Sequence, residues 1–171
     1  MNLLPLCLDY NISNLNVTGS ITAAGEPVGS AVYISTSNST TQSIPTSANT
    51  ALTFNTDTLV NWPTRGSPTV FTPPVPGTYL VQANCCWSNV GAGSGTTRLF
   101  IQKNSTTIAE QEWQGAINSI TMHITAVAPM NGTTDTFTIY VYLSSGSSQT
   151  SGGAPDTGYP GNNVQIDRLH A

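Results

Sequence analysis

The residue types that could support catalysis are few in this chain. There are two histidines, His123 and His170, and a hydrolytic triad needs a histidine base beside a nucleophile. Glu110 and Glu112 lie two positions apart on one face of a predicted strand, which suits an acid–base pair, a cation site or two ordinary exposed carboxylates. A glycosidase needs its two carboxyl groups inside a cleft, and no cleft is indicated near them. The sequence therefore predicts no catalytic residue and no enzyme activity.

The three cysteines do not indicate a disulfide scaffold or a metal site. Cys85 and Cys86 are adjacent in a strand-like run, where neighbours point to opposite faces, and Cys7 is left over. Zinc sites are usually marked by a C-x-x-C spacing or nearby histidines, and neither occurs here. No loop has the regular acidic spacing of a calcium motif. We therefore expect reduced core or interface cysteines, no metal and no cofactor.

The charge content excludes several kinds of partner. Four Lys+Arg and eight Asp+Glu give a net charge of −4 and a charged fraction of 7%, against roughly 25% in ordinary globular domains. Four dispersed basic residues cannot neutralise a row of phosphates, so we expect no nucleic acid partner. No apolar run reaches the ~18 residues needed to span a bilayer. The sequence therefore predicts no membrane partner either.

The chain pattern predicts an all-β fold. Runs of period-2 alternation are separated by Gly, Pro, Asn and Ser, and no helical period occurs. Such a pattern is typical of a sandwich or jelly roll of about 8–10 antiparallel strands. The predicted strands lie at 31–36, 51–55, 69–72, 78–87, 96–103, 107–113, 119–128, 135–143 and 163–169. The segment 144–153 reads as a flexible connector by composition.

Two strands give the clearest face assignments. In 78–87 the odd positions from Tyr79 to Trp87 share one face, and in 135–143 the apolar positions from Phe137 to Leu143 share one face. Tyr140 and Tyr142 fall on the opposite face of the second strand. Aromatic rings with a polar tip suit an oligomer interface, although exposed or loop-covered tyrosines remain the alternative.

Residues 1–29 differ from the rest, since they contain only very short strand pieces between turns. We do not expect the apolar start to act as a signal peptide, because no basic residue precedes it, it is shorter than the usual apolar core and an aspartate follows it. We interpret 1–29 as an extended N-terminal anchoring or linking segment and 30–171 as one domain. The candidate anchoring residues are Leu3, Leu4, Leu6, Leu8, Val17 and Ile21.

Several motifs, in their order along the chain, resemble the C1q/TNF-like jelly-roll domain of bacteriophage structural proteins. They are Gly77–Val81, Arg98–Asn104, Ile108–Ala109 and Asp135–Val141, preceded by Gln42–Asn55 and Ser67–Gly77. Asn16–Gly29 is similar to the linking segment before head domains in phage fibre and decoration proteins. The usual Asn-Gly turn is replaced by Asn104-Ser105, and no collagen stalk precedes the domain. The resemblance implies a homotrimer with a structural or binding role.

The function expected from this resemblance is a capsid decoration or cement protein of a phage head. It would lie on the capsid surface of the virion, be assembled in the host cytoplasm and bind the major capsid protein. The alternative is the receptor-binding head of a tail or head fibre that recognises host surface glycans. The absence of a signal peptide disfavours a third interpretation, a secreted C1q/TNF-like ligand. The trimer-interface candidates are Tyr140, Tyr142 and His123, the last either in a threefold imidazole cluster or as a solvated surface histidine.

Overall fold

The computed structural model describes residues 22–23, 26–27, 33–62, 66–88, 95–115, 119–144, 148–152 and 161–170. Every regular element in these ranges is a β-strand, so the predicted all-β class is confirmed. The chain divides into two compact units, Met1–Ser30 and Ala31–Ala171.

The first unit contains a short hairpin in its described part. Strand β1 (Thr22–Ala23) pairs antiparallel with β2 (Glu26–Pro27). The predicted anchoring residues and Cys7 lie outside the described residues, so their roles stay predictions. The anchoring residues concerned are Leu3, Leu4, Leu6, Leu8, Val17 and Ile21.

The second unit contains twelve strands in its described part, all paired antiparallel. In chain order they are β3 (Tyr33–Ser37), β4 (Thr41–Ile44), β5 (Asn49–Ala51), β6 (Thr56–Val60), β7 (Val70–Phe71), β8 (Pro76–Ser88), β9 (Thr96–Lys103), β10 (Thr106–Gln114), β11 (Ser119–Asn131), β12 (Phe137–Ser144), β13 (Gln149–Gly152) and β14 (Asn163–His170).

These strands form two sheets that pack face to face. The five-stranded sheet runs β10-β9-β12, with β5 and β7 both pairing with β12. In the seven-stranded sheet the long strand β8 pairs with β11 over its whole length. The other edge of β8 pairs first with β14 and then, nearer its C-terminal end, with β13. Strand β14 also pairs with β3, which pairs with β6, and β13 also pairs with β4. The arrangement is a two-layer antiparallel sandwich.

The core lies between the sheets and is built by strand alternation. The odd positions of β8 from Tyr79 to Trp87 are all buried, as are alternate positions of β12 from Phe137 to Leu143, so both face assignments are confirmed. Aromatic pairs fill the interior, with ring centroids 5.8 Å apart for Phe54–Phe71 and 6.5 Å apart for Trp62–Tyr79. Burying one such side chain stabilises the fold by about 1.5–3 kcal/mol.

The strand prediction was wrong for 51–55. The predicted strand 51–55 is strand only at Ala51, where β5 ends, because Leu52 and Phe54 are buried in an irregular segment. Their N–H groups donate to the carbonyls of Ile139 and Pro68 respectively. Their alternation therefore reflects burial and not strand structure.

The connector predicted at 144–153 was also wrong in part, since Ser144 ends β12 and β13 occupies Gln149–Gly152. Thr150 and Ser151 pair with Ser43 and Gln42 of β4, and the same two residues pair with β8 on the other side. Strands β4 and β6 were likewise absent from the strands predicted by alternation, although the family resemblance placed the first strands of the domain in Gln42–Asn55, which includes most of β4. All three carry mostly Thr, Ser, Gln and Asp side chains, and neighbouring strands rather than local propensity impose their extended conformation.

Polar contacts organise the end of the sandwich at the β9–β10 turn. Asn104 and Ser105 have positive φ values of 48° and 67°, so the Asn-Ser pair adopts a left-handed hairpin turn. The Asn104 side chain donates to Asp135 Oδ1 at 2.7 Å and accepts from Thr136 N at 2.8 Å. The hydrogen bond from Asn104 and the nearby Lys103 ammonium lower the pKa of Asp135. The turn is therefore tied to the start of β12.

Gly132 is required by the loop that leaves β11. Its φ is +75°, and an added Cβ would lie 2.3 Å from Pro76 N and 2.5 Å from the Val75 carbonyl carbon. Both neighbours are backbone atoms and cannot rotate away.

We predict that Gly132→Ala lowers the free energy of unfolding by about 2 kcal/mol or more, because backbone strain adds to the clash. The control is Gly66→Ala, since an added Cβ there meets nothing within 4 Å; we expect a change within about 0.5 kcal/mol. Urea denaturation of both variants measures the effect. Equal midpoints would contradict the assigned geometry.

Candidate functional site

The outer face of the seven-stranded sheet carries mainly neutral polar side chains. Cross-strand registers align them in rows that run from β11 through β8 and β14 to β3. We call this surface the amide face. It consists of Thr121, His123, Thr125, Val127, Leu80, Gln82, Asn84, Cys86, Asn163, Gln165, Asp167, Tyr33, Ser35 and Ser37. Asp167 is its one carboxylate, and none of these residues is Lys, Arg or Glu.

Hydrogen bonds, both between strands and within β14, connect the side chains of the amide face. Asn84 Nδ2 donates to Asn163 Oδ1 at 2.8 Å, and His123 Nδ1 contacts Asn84 Oδ1. Gln165 Nε2 donates to Asp167 Oδ2 at 2.8 Å. Because these groups already satisfy part of their hydrogen-bonding capacity, covering the face costs less than covering isolated polar groups.

Strand β11 forms an edge, because among the described strands it pairs only with β8. His123 N–H donates to Gln111 Oε1 at 3.0 Å, so His123 and every second residue direct their backbone groups away from β8. The Lys103 ammonium donates to the Pro129 carbonyl farther along the same edge. Between these contacts the Val127 side chain is 57% exposed. Such an edge favours association with another chain.

The outer face of the five-stranded sheet has a different chemistry. We call its central part the aromatic face: Glu110 and Glu112 on β10, Arg98 and Phe100 on β9, and Tyr140 and Tyr142 on β12. Registers place them in two rows, Glu112–Arg98–Tyr142 and Glu110–Phe100–Tyr140.

The aromatic contacts hold both tyrosines in place. The Phe100 and Tyr140 rings stack with centroids 5.5 Å apart and an interplanar angle of 12°. The Arg98 guanidinium carbon lies 5.3 Å from the centroid of the Tyr142 ring. Phe100 is only 5% exposed, whereas both tyrosines are partly exposed. The tyrosine rings therefore form the accessible aromatic surface.

Arg98 is the electrostatic centre of the aromatic face. Its Nε lies 2.9 Å from Glu112 Oε2 and 3.4 Å from Glu110 Oε1. Nε is not aligned with either carboxylate as a hydrogen-bond donor, so these contacts are ion pairs and not hydrogen bonds. Gln114 Nε2 donates to Glu112 Oε1 at 2.6 Å. One cation thus balances part of the charge of two carboxylates.

The predicted interface residues do not all lie together. Tyr140 and Tyr142 are neighbours on the aromatic face, whereas His123 lies on the amide face of the other sheet. No single surface patch contains all three, and their trimer-interface role stays a prediction. The two glutamates considered as an acid–base pair do share one face, and both pair with Arg98.

Sequence reasoning missed the roles of Arg98 and Phe100. The sequence did contain a pattern that places them together, because Arg98 and Phe100 alternate with the apolar Leu99 and Ile101 and so share the opposite face of the strand. A regular hairpin closed at Asn104-Ser105 would place Gln111 opposite Arg98. The register shift between Thr107 and Ala109 places Glu112 there instead, and no sequence pattern indicates that shift.

The cysteines follow the predicted alternation where the structure describes them. Cys85 is buried and Cys86 lies on the amide face, and both thiols are free. Burial raises the pKa of Cys85. Within the described residues, no group of three or more His, Cys, Asp and Glu could hold a metal ion. No helix in that part of the chain has the length and apolarity to cross a membrane.

Comparison with known proteins identifies the fold. No family model matches the sequence, and no curated protein matches it significantly. Two crystal structures of murine APRIL, at pH 8.0 and pH 5.0, are similar to this chain with TM-scores of 0.58 and 0.57 and identities of 12% and 11%. In both cases the similarity covers 81% of this chain and 99% of that chain. The predicted TNF-like jelly-roll fold is therefore confirmed.

We predict that the Arg98–Glu112 ion pair adds little stability, because Arg98 is 42% exposed and Glu112 is 35% exposed. A double-mutant cycle of Arg98→Gln and Glu112→Gln should give a coupling free energy of about 0.5–1 kcal/mol, reduced in ~1 M salt. The control cycle combines Glu112→Gln with Thr138→Ala and should show no coupling. A salt-independent coupling above about 2 kcal/mol would contradict the assignment of a solvated pair.

Proposed function

We propose that this chain is a non-enzymatic structural protein of a virion, a homotrimeric decoration or cement protein on the surface of a phage capsid. The observation that carries the proposal is the amide face, a broad sheet surface almost without charge on a TNF-like jelly roll. The protein would be assembled in the host cytoplasm and bind the major capsid protein. These assignments of origin and partner follow the resemblance carried by the sequence motifs.

The chemistry of the amide face supports self-association. Interface cores are depleted of charged residues, and the amide face has one carboxylate among fourteen side chains. The adjoining β11 edge supplies exposed Val127, and no described strand pairs with its outer side. A contact between the edge of one copy and the face of the next is heterologous, and it gives a finite assembly when the rotation between copies closes into a ring. The proposed number of copies in the assembly, three, follows from the resemblance to the C1q/TNF-like jelly roll.

A trimer suits the decoration role because its contacts are multivalent. Three copies would present three N-terminal segments, and modest contacts made simultaneously give high avidity. The predicted anchors to the capsid are the apolar residues of that segment, Leu3, Leu4, Leu6, Leu8, Val17 and Ile21.

The second candidate function is the receptor-binding head of a fibre that recognises host surface glycans. The aromatic face favours it, since Tyr140, Tyr142 and Arg98 lie together on one surface of a single copy. Tyr and Arg are enriched among residues that dominate binding energies.

We predict that Gln82→Lys on the amide face disrupts the trimer. Three ammonium groups brought into one assembly lose hydration and repel one another, at a cost of several kcal/mol. The control is Gln102→Lys, which places the same charge on the outer face of the five-stranded sheet. Light scattering after size exclusion should give three times the 17.9 kDa chain mass for the wild type and the control.

The Gln82→Lys variant should elute as a smaller species with the same circular dichroism spectrum. A monomeric wild type at micromolar concentration would overturn the trimer proposal. Dissociation by Gln102→Lys alone would instead support the interface at Tyr140 and Tyr142.

We predict that the full-length protein binds empty capsids of its virus and that deletion of residues 1–28 lowers the bound fraction at least tenfold, because the apolar anchors are lost. Co-sedimentation measures capsid binding, and flow cytometry measures binding to host cells. Capsid binding that is absent in the full chain would overturn the decoration role. Cell binding that survives the deletion would support the fibre-head alternative.

A further inference from the structure

The aromatic face combines rigid rings with polar groups that have no hydrogen-bond partner among the residues the structure describes. The hydroxyls of Tyr140 and Tyr142 make no hydrogen bond with any described residue, and neither do the terminal nitrogens of Arg98 or the Oε2 atom of Glu110. These donors and acceptors surround the two partly exposed rings. The side chains are therefore oriented while part of their hydrogen-bonding capacity remains unused.

The dimensions of the aromatic face suit a small ligand. It spans three strands and two rows, which is roughly 10 by 7 Å from a strand spacing of ~4.8 Å and a two-residue repeat of ~6.8 Å. A stable protein–protein interface buries about 800 Å² on each partner, so it would have to extend well beyond these six side chains. The ligand should therefore be about as large as one or two rings.

The charge arrangement selects the kind of ligand. An anion that approached Arg98 would be repelled by the carboxylates of Glu110 and Glu112, which already lie at 3.4 and 2.9 Å from Nε. A purely apolar ligand would cover these charges without compensation. A neutral polyhydroxylated ring avoids both costs, because each hydroxyl can donate to a carboxylate and accept from a guanidinium N–H.

We infer that the aromatic face is a binding subsite for neutral saccharides. The apolar C–H face of a sugar ring packs against the Tyr140 and Tyr142 rings, which present an apolar body and a polar tip. The terminal nitrogens of Arg98 donate to sugar hydroxyl oxygens, and Glu110 Oε2 accepts from a sugar hydroxyl. Every contributing residue belongs to one chain, so the site requires neither the trimer nor the capsid.

The test is a titration of the uniformly ¹⁵N-labelled full-length protein with methyl β-D-galactopyranoside, methyl β-D-glucopyranoside and methyl α-D-mannopyranoside, each to ~20 mM, with amide shifts as the readout. That range detects the weak affinity expected of a single small ring. At least one sugar should shift residues of β9, β10 and β12 around the aromatic face and leave the amide face unchanged. Sodium sulfate serves as the anionic probe and should not compete.

Variants identify the groups that bind. Tyr142→Ala and Arg98→Met should each weaken binding at least fivefold, whereas Tyr142→Phe, which keeps the ring, should weaken it less than threefold. Thr138→Ala is the matched control, because Thr138 lies on the same face of β12 one row away, and it should bind like the wild type. Melting temperatures confirm that each variant is folded.

The inference is overturned if no sugar in the panel shifts these residues, if sulfate binds there more tightly than the sugars, or if Tyr142→Ala binds unchanged. These outcomes are separate from those of the proposed decoration role. A protein that binds capsids but no sugar contradicts only the saccharide site, and one that binds sugar but no capsid contradicts only the decoration role.

Discussion

The register of the long strand β8 between its two neighbours is the constraint on which both layers of the sandwich depend. It pairs with β11 from Pro76 to Ser88 without a bulge, and its alternate side chains fill the core or form the amide face. Side-chain direction has a period of two, so a slip of one residue would exchange these two sets. Such a slip would expose Tyr79 and Trp87 and bury Gln82. The cost of this exchange fixes the core and the amide face together.

Scarce charge is the second constraint. Of the eight described charged residues in the second unit, five lie on or beside the five-stranded sheet, and Asp57, Asp167 and Arg168 lie on strands of the other sheet. Arg98 lies between two glutamates on the five-stranded sheet, and Lys103 pairs with Asp135 at the end of the same sheet at 3.2 Å. The amide face on the opposite layer carries Asp167 alone. The outer face of the five-stranded sheet therefore holds its water more strongly, and the amide face of the other sheet can be covered by a partner at lower cost.

The sequence was sufficient for the fold class and for the two best core strands, because hydrophobic alternation reports burial directly. It was insufficient for β4, β6 and β13, whose polar side chains are extended only because neighbouring strands pair with them. The pairing of Arg98 with Glu112 depends on hairpin register, which is set by the left-handed turn at Asn104 and Ser105 together with the register shift between Thr107 and Ala109. Composition showed that charge was rare but not that the remaining charges would converge.

The difference between the two outer faces argues for recognition divided between two surfaces. Neutral amides that hydrogen-bond to one another lose little when a second copy covers them, so the amide face suits association with identical chains. Arg98, Glu110 and Glu112 would lose hydration if an extensive partner buried them, and their partial exposure favours a ligand that replaces water with hydroxyl groups. Self-association through the seven-stranded sheet would leave the five-stranded sheet outward and accessible. One short chain could then join an assembly with one layer of its sandwich and present a binding surface with the other.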